Sequence, residues 1–344
     1  MDLSALGWND CFGKVAAPHF VARVAAQHKN SYRVFCQRGQ LSARVTGRFS
    51  YLAATPSSFP VVGDWVVCEQ VGGGEATILQ VLPRRTVFSR QAAGEETQEQ
   101  VVAANIDTVF IVTALNQDYN LRRIERYLTV VWESGCHAVV ILSKADLCDC
   151  IELRCQEVQA IAPGVAVHAL SVHTGLGLPD IRSYLQPGVT VALLGSSGVG
   201  KSTLINCLLG QEAIRVNSLR ADGKGRHTTT SRQLYLLPQG GIVLDTPGMR
   251  ELQLWGGEEG LLETYRDITS HAERCRFRDC RHESEPGCAV KAAIVSNELD
   301  PKRLESYRKL AREIEYAADR RDYLQQKERI ARGWALQARH IKKK

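Results

Sequence analysis

Eight consecutive residues, Gly195-Ser196-Ser197-Gly198-Val199-Gly200-Lys201-Ser202, constrain this chain more than any other feature. They follow an apolar, strand-like run, Val189 to Leu194, and open a helical stretch from Lys201 to Gly210. That strand–loop–helix context is what a phosphate-binding loop requires, because glycines let successive backbone N–H groups turn toward one anion. Lys201 is then placed to reach β- and γ-phosphates, the Ser202 hydroxyl to ligate Mg²⁺, and Thr203 follows in the same helical turn. The chain is expected to bind a nucleotide.

From Ile106 to about Leu254, apolar runs alternate with helical stretches. The runs are Val109–Val112, Ala138–Leu142, Val165–Leu170, Val189–Leu194 and Ile242–Leu244, and Leu121–Ser134 is a second helical stretch. Continuous apolar strands separated by helices predict a parallel sheet covered on both faces. Ligands of such sheets bind at the carboxyl ends of the strands, so the residues after each run carry the chemistry. Asp245-Thr246-Pro247-Gly248 follows one run: the carboxylate suits Mg²⁺ through water, and the Gly248 N–H suits a γ-phosphate. Thr228 or Thr229, in Gly225-Arg226-His227-Thr228-Thr229-Thr230, is expected to complete the Mg²⁺ shell. Ser143-Lys144-Ala145-Asp146 follows another run, where Asp146 can accept from the N1–H and exocyclic amine of guanine, a donor pair that adenine lacks. Ser143 stands where asparagine is usual. Ser171, opening Ser171-Val172-His173-Thr174-Gly175, sits where a further loop closes over the base.

The order of these motifs is unusual. The base readers at 143 and 171 precede the phosphate loop at 195, the threonines near 228 and the aspartate at 245, reversing the ordinary GTPase sequence. A parallel sheet tolerates this, because termini that lie close can be relinked elsewhere. In this the chain resembles the circularly permuted GTPases, and within them the ribosome small-subunit-dependent GTPase A family. The resemblance runs from Val62-Gly63-Asp64-Trp65-Val66 through Ala103-Ala104-Asn105-Ile106-Asp107 to a cysteine-rich C-terminal section. It implies GTP hydrolysis with Mg²⁺, late maturation of the small ribosomal subunit, rRNA and other assembly factors as partners, no membrane, and a cytoplasmic monomer. Met249 occupies the place where many GTPases carry a water-orienting glutamine. Intrinsic hydrolysis should therefore be slow, and His227 resembles the family's candidate for that task, a surface histidine being the plainer reading.

The flanking sections read differently. Val15 to Gln91 holds short alternating strands, such as Tyr32/Val34/Cys36 and Leu41/Ala43/Val45, punctuated by turn residues, which suits a small closed barrel. Cys275, Cys280, His282 and Cys288 put three thiols and an imidazole within 14 residues. That donor set, with no position left for water, predicts one structural Zn²⁺; the resemblance implies the same four ligands. Asp300 and Pro301 then open a helix whose exposed faces are crowded with Arg and Lys. Residues 301–344 carry 14 basic and 6 acidic side chains, so the whole net charge of +6 originates there, as either a solvated helix or a phosphate-backbone contact.

The expected architecture is multidomain: an OB-like β-barrel over 1–95, a circularly permuted α/β P-loop GTPase domain over 96–255, and a mostly helical zinc-binding domain over 256–344. Eleven cysteines, an odd number in a long chain, argue against a disulfide scaffold and for a reducing compartment. No apolar run approaches the roughly 18 residues of a membrane span, and Met1 to Phe12 lacks the basic-then-apolar character of a secretory signal. Two functions fit: a GTP-hydrolysing assembly factor, or a nucleic-acid-binding module with a structural nucleotide. Hydrolysis that rises with small subunits separates the first from the second.

Overall fold

The computed structural model describes residues 1–344 except 10, 11, 14, 30, 54, 92–98, 215–231, 246–255 and 342–344. For 91, 321, 324, 325 and 327–341 it describes the backbone alone. Five strands close the N-terminal barrel: β1 (Phe20–Gln27), β2 (Tyr32–Cys36), β3 (Gly39–Val45), β4 (Trp65–Gly72) and β5 (Glu75–Val81), with helix α1 (Gly47–Leu52) between β3 and β4. The pairing runs β1-β2-β3-β5-β4 and returns to β1, antiparallel everywhere except β3 with β5. Closure leaves no free edge, and alternate residues (Ala22, Val24, Val34, Cys36, Val66, Cys68, Ile78) fill the interior.

A two-stranded ribbon, β6 (Val87–Gln91) and β7 (Glu99–Ala104), leads into the central sheet. That sheet comprises β8 (Thr108–Ala114), β9 (His137–Ser143), β10 (Ala166–Leu170), β11 (Thr190–Leu194), β12 (Gln233–Leu236) and β13 (Ile242–Asp245), in the spatial order β10-β9-β8-β11-β13-β12. The five predicted strands are mutually parallel. Along β8, Val109 and Ile111 enter one core while Phe110 and Val112 enter the other, which is why the run is apolar throughout. Helices α2 (Leu121–Glu133) and α3 (Ile151–Ile161) lie on the first side; α4 (Leu178–Ser183) and α5 (Lys201–Leu209) lie on the second. Not foreseen was β12, an antiparallel edge strand. The turn between β12 and β13 is too short for a crossover, so the two form a hairpin, and Ala26 of β1 pairs with Gln233, continuing the sheet into the barrel.

Beyond the sheet lie α6 (Glu258–Thr264), α7 (Arg266–Ala272), α8 (Ala289–Val295) and α9 (Pro301–Ile341). Asp300 caps α9, its carboxylate accepting from Lys302 N–H at 2.9 Å. Leu304 and Ile314 of α9 join the core that also holds Ile124 and Leu128 of α2. No helix among the described residues is long and apolar enough to cross a membrane.

The barrel meets the sheet over a buried cation. The Arg23 guanidinium donates to the carbonyls of Leu6 (2.5 Å), Asn105 (2.8 Å) and Gly63 (3.3 Å). Burial pulls its pKa down to about 10, with Asp107 and Asp64 opposing, so it stays charged at neutral pH. Gly63 must be glycine: its φ is +94°, and a Cβ there would stand 2.0 Å from the Ala104 carbonyl oxygen. Arg23→Met would leave three buried carbonyls without that donor. We expect it to destabilise the barrel by about 3 kcal/mol or more, read as a lower urea midpoint in the fluorescence of Trp65, over which Arg23 lies.

Candidate active site

Because β8, β9, β10, β11 and β13 run parallel, their carboxyl ends share one edge, where Ser143, Ser171, Gly195 and Asp245 lie. The phosphate loop leaves β11 at Gly195, where a Cβ would lie 2.2 Å from the Val112 carbonyl oxygen of neighbouring β8. Gly198 and Gly200 have φ of +79° and +97°, the reversal that turns strand into helix α5. The Lys201 ammonium donates to the carbonyls of Gly195 (2.7 Å) and Ser196 (2.6 Å), arching over the loop it belongs to. Ser202 and Thr203 occupy the first turn of α5, and Asp245 ends β13, next to β11 in the sheet. The hydroxyl of Ser202 and the carboxylate of Asp245 are hard oxygen donors of the kind Mg²⁺ takes. His227, Thr228, Thr229 and Gly248 lie outside the described residues.

Strand β9 is joined directly to the phosphate loop. Ser143, last residue of β9 and buried, donates its hydroxyl to the Val199 carbonyl at 2.6 Å and lies 3.1 Å from that of Thr113. Lys144 takes a left-handed conformation (φ +56°) and leads into the 3₁₀ turn Ala145–Leu147, which presents Asp146 to solvent. Ser171, at the end of β10, hydrogen-bonds the Asp146 carboxylate, and that bond holds the carboxyl below its usual pKa; His173 and Lys144 add to the effect. Ser171 also accepts from Thr174 N–H at 3.2 Å, ordering its own loop. Ser143, Lys144, Asp146, Ser171 and residues 195–203 therefore line one edge.

Two residues were missed. Asp118 and Arg123 follow β8, the strand whose end the sequence reading left empty. Asp118 hydrogen-bonds the Ser196 hydroxyl, and Arg123 Nη1 reaches both Asp118 (2.6 Å) and Ser196 Oγ (3.1 Å). Asn120 caps α2 by accepting from Arg122 and Arg123 N–H, which orients the arginine. The available signal was positional: polar Asn116 to Asn120 directly after a buried apolar run.

A second constellation lies apart from the sheet edge. Ligand atoms of Cys275, Cys280, His282 and Cys288 all lie within 4.8 Å of one another. Cys275 Sγ is 3.9 Å from Cys288 Sγ, and His282 Nδ1 is 3.6 and 3.4 Å from those two sulfurs. A tetrahedral Zn²⁺ with sulfur bonds of about 2.3 Å separates its donors by about 3.8 Å, so the set fits such an ion. Burial opposes charge on Cys275, but the N–H groups of Val290 and Ala289, opening α8, hold its pKa below the ordinary value. Burial keeps His282 neutral, with Arg308 acting in the same sense, as ligation requires.

Comparison with known proteins bears on these groupings. The family model described as RsgA GTPase matches residues 81–255. A protein of Opitutus terrae named small ribosomal subunit biogenesis GTPase RsgA is 48% identical over 338 residues, covering 94% of this chain and 92% of that one. One of Lactiplantibacillus plantarum, named small ribosomal subunit biogenesis GTPase RsgA 2, is 48% identical over 86% of this chain and 84% of its own. The chain belongs to the RsgA GTPase family. It is accordingly a GTPase, and the family implies Mg²⁺ with GTP. The crystal structure of YjeQ from Thermotoga maritima superposes with a TM-score of 0.66 at 27% identity, covering 86% of this chain and 98% of that chain. YloQ, described as a circularly permuted GTPase, gives 0.61 at 23% identity over 89% and 96%, and so shares the fold.

Ser143 supplies a clear test. Ser143→Ala removes a hydroxyl tethering Val199 and should weaken binding of fluorescent GDP roughly threefold to tenfold, the worth of about one hydrogen bond, with little change in melting temperature. An unchanged titration would remove Ser143 from the nucleotide site.

Proposed function

We propose that this GTPase is a late assembly factor of the small ribosomal subunit, binding GTP along the shared strand edge and gripping rRNA with its barrel, Cys/His knuckle and basic helix. The observation that carries the reading is the Ser143–Val199 bond, which ties the guanine-reading turn to the phosphate loop. In this reading Gly195, Ser196, Ser197, Gly198, Val199 and Gly200 present backbone N–H groups to the phosphates, with Lys201 and Thr203 beside them. Ser202, Asp245 and Thr228 or Thr229 would hold Mg²⁺, which when bound screens charge on the β- and γ-phosphates. Gly248 senses the γ-phosphate. Asp146 accepts from guanine while Lys144 and Ser171 hold the turn. His227 orients the attacking water in place of the side chain that Met249 lacks.

The relatives' names support the ribosomal part. So does the surface chemistry: Arg274, Arg276, Arg278 and Arg281 are exposed around the Cys/His cluster, with Arg276 stacked 5.5 Å over half-exposed Phe277. Arginines interleaved with an aromatic suit a phosphate backbone and an unstacked base. In this reading Cys275, Cys280, His282 and Cys288 hold one structural Zn²⁺ in a mostly helical unit, 256–344, beside the barrel of 1–95 and the GTPase unit of 96–255. The protein would act as a cytoplasmic monomer on the subunit and other assembly factors.

Two outcomes are expected. Purified protein should hydrolyse GTP slowly and ATP negligibly, and purified small subunits should raise the GTP rate at least about tenfold, the gain from one positioned catalytic group. Identical rates with and without subunits would favour a nucleic-acid-binding module with a resident nucleotide. Elemental analysis should find one zinc per chain, reduced in Cys288→Ser, with chelation lowering the melting temperature.

A further inference from the structure

Three cysteines outside the sites above crowd the exit of the guanine-reading turn. Cys148 closes that turn, its N–H donating to the Ala145 carbonyl at 3.2 Å. Cys150 is the N-cap of α3, its carbonyl accepting from Arg154 N–H at 3.2 Å. The two Sγ atoms are 3.8 Å apart, Cys150 exposed and Cys148 half-buried. Cys148 is extended and a bend at Asp149 leads to Cys150, so the chain between the two thiols is short and turned. A disulfide needs sulfurs about 2.05 Å apart, so closure asks for a shift of under roughly 2 Å, divided between side-chain rotation and the Cys148 backbone. Cys155 is a poorer partner: it is half-buried on α3, and burial, then the neighbouring Cys148 and Glu152, raise its pKa and keep the thiol protonated. Among the described residues, the one convergent group of metal-ligating side chains that includes cysteine is the Cys275 cluster, so these thiols do not read as a metal site.

We propose that Cys148 and Cys150 form a reversible dithiol–disulfide site, oxidised by hydroperoxides, that loosens the grip of Asp146 on guanine. The exposed Cys150 sulfur attacks the outer peroxide oxygen. The O–O bond breaks, giving a sulfenic acid on Cys150 and releasing water or an alcohol. Cys148 Sγ then attacks the Cys150 sulfur; the S–O bond breaks, hydroxide takes up the thiol proton and leaves as water, and the S–S bond forms. Two thiols lose two electrons and two hydrogens, and the peroxide is reduced. The ring pulls Cys148 away from the Ala145 carbonyl, opening the turn that presents Asp146. This consequence rests on the reading of Asp146 as the guanine acceptor.

The full-length reduced protein is treated with hydrogen peroxide, alkylated with iodoacetamide and digested with trypsin. Cleavage after Lys144 and Arg154 isolates Cys148 and Cys150 on one peptide, 145–154, and leaves Cys155 on the next. The expected result is an unalkylated 145–154 peptide lighter by two hydrogens, reversed by dithiothreitol. With it, fluorescent GDP should bind roughly tenfold more weakly, the loss expected for a charged hydrogen bond, while Cys150→Ser keeps its affinity through the same treatment. Alkylation of both cysteines, a cross-link to the Cys155 peptide, a disulfide with unchanged affinity, or equal loss in Cys150→Ser would each overturn the proposal. If reduced wild-type protein binds no GDP, the reading of Asp146 fails, and the mass of the 145–154 peptide alone decides whether the dithiol site stands.

Discussion

Parallel strands end together. The structure depends on this constraint, because a sheet of parallel strands gathers its carboxyl termini on one edge whatever order the chain visits them. Here β9 and β10 precede β11 in sequence, yet Ser143, Ser171 and Gly195 emerge on the same side. β8 lies between β9 and β11, so those two strands share a neighbour and the segments that follow them touch through one hydroxyl. Relinking the chain alters which loops are covalent neighbours and leaves the edge intact. The permutation is therefore neutral for assembling the site, while it gives the segment after Asp245 a new continuation.

That continuation leads into the C-terminal helices, and α2 supplies a second route to them. On one side α2 presents Arg123 to the Ser196 hydroxyl. On another, buried Glu125 accepts from Arg303 of α9 at 2.9 Å and from Tyr265 at 3.3 Å, and Arg126 pairs with Glu313 at 2.6 Å. Arg303 also bonds both carboxylate oxygens of Asp267 on α7, so its buried charge is balanced from two directions. The phosphate loop and the C-terminal section are thus both bonded to the same helix, α2.

The sequence was informative wherever a pattern was local. Apolar runs marked five of the six strands of the central sheet, glycine spacing marked the phosphate loop, and Cys275 to Cys288 stood close enough to be read as one donor set. What it concealed was relational. β12 is short and only half-buried, so its polar-flanked residues carry no apolar run, and its strand character comes from pairing with β13 and β1. Asp118 and Arg123 become meaningful only when β8 is placed beside β11. Arg23 lies 1% exposed, satisfied by carbonyls 17 to 82 positions away. Such residues are chosen by three-dimensional neighbours that no window along the chain contains.

Ser143 shows the same point at the scale of one atom. By motif, serine in place of asparagine is a departure that puts the contact with the base and the loop in question. In the structure the position is a buried junction where two carbonyls, Thr113 and Val199, approach a single side chain from different strands. The junction requires a short side chain with a donor. A hydroxyl meets that demand on one rotatable bond, with no second polar atom to satisfy, whereas an amide would bring a carbonyl oxygen and a further donor into the same enclosed space. The serine therefore keeps β9 tied to the loop that follows β11, while the Asp146 carboxylate beyond it is held below its usual pKa by Ser171.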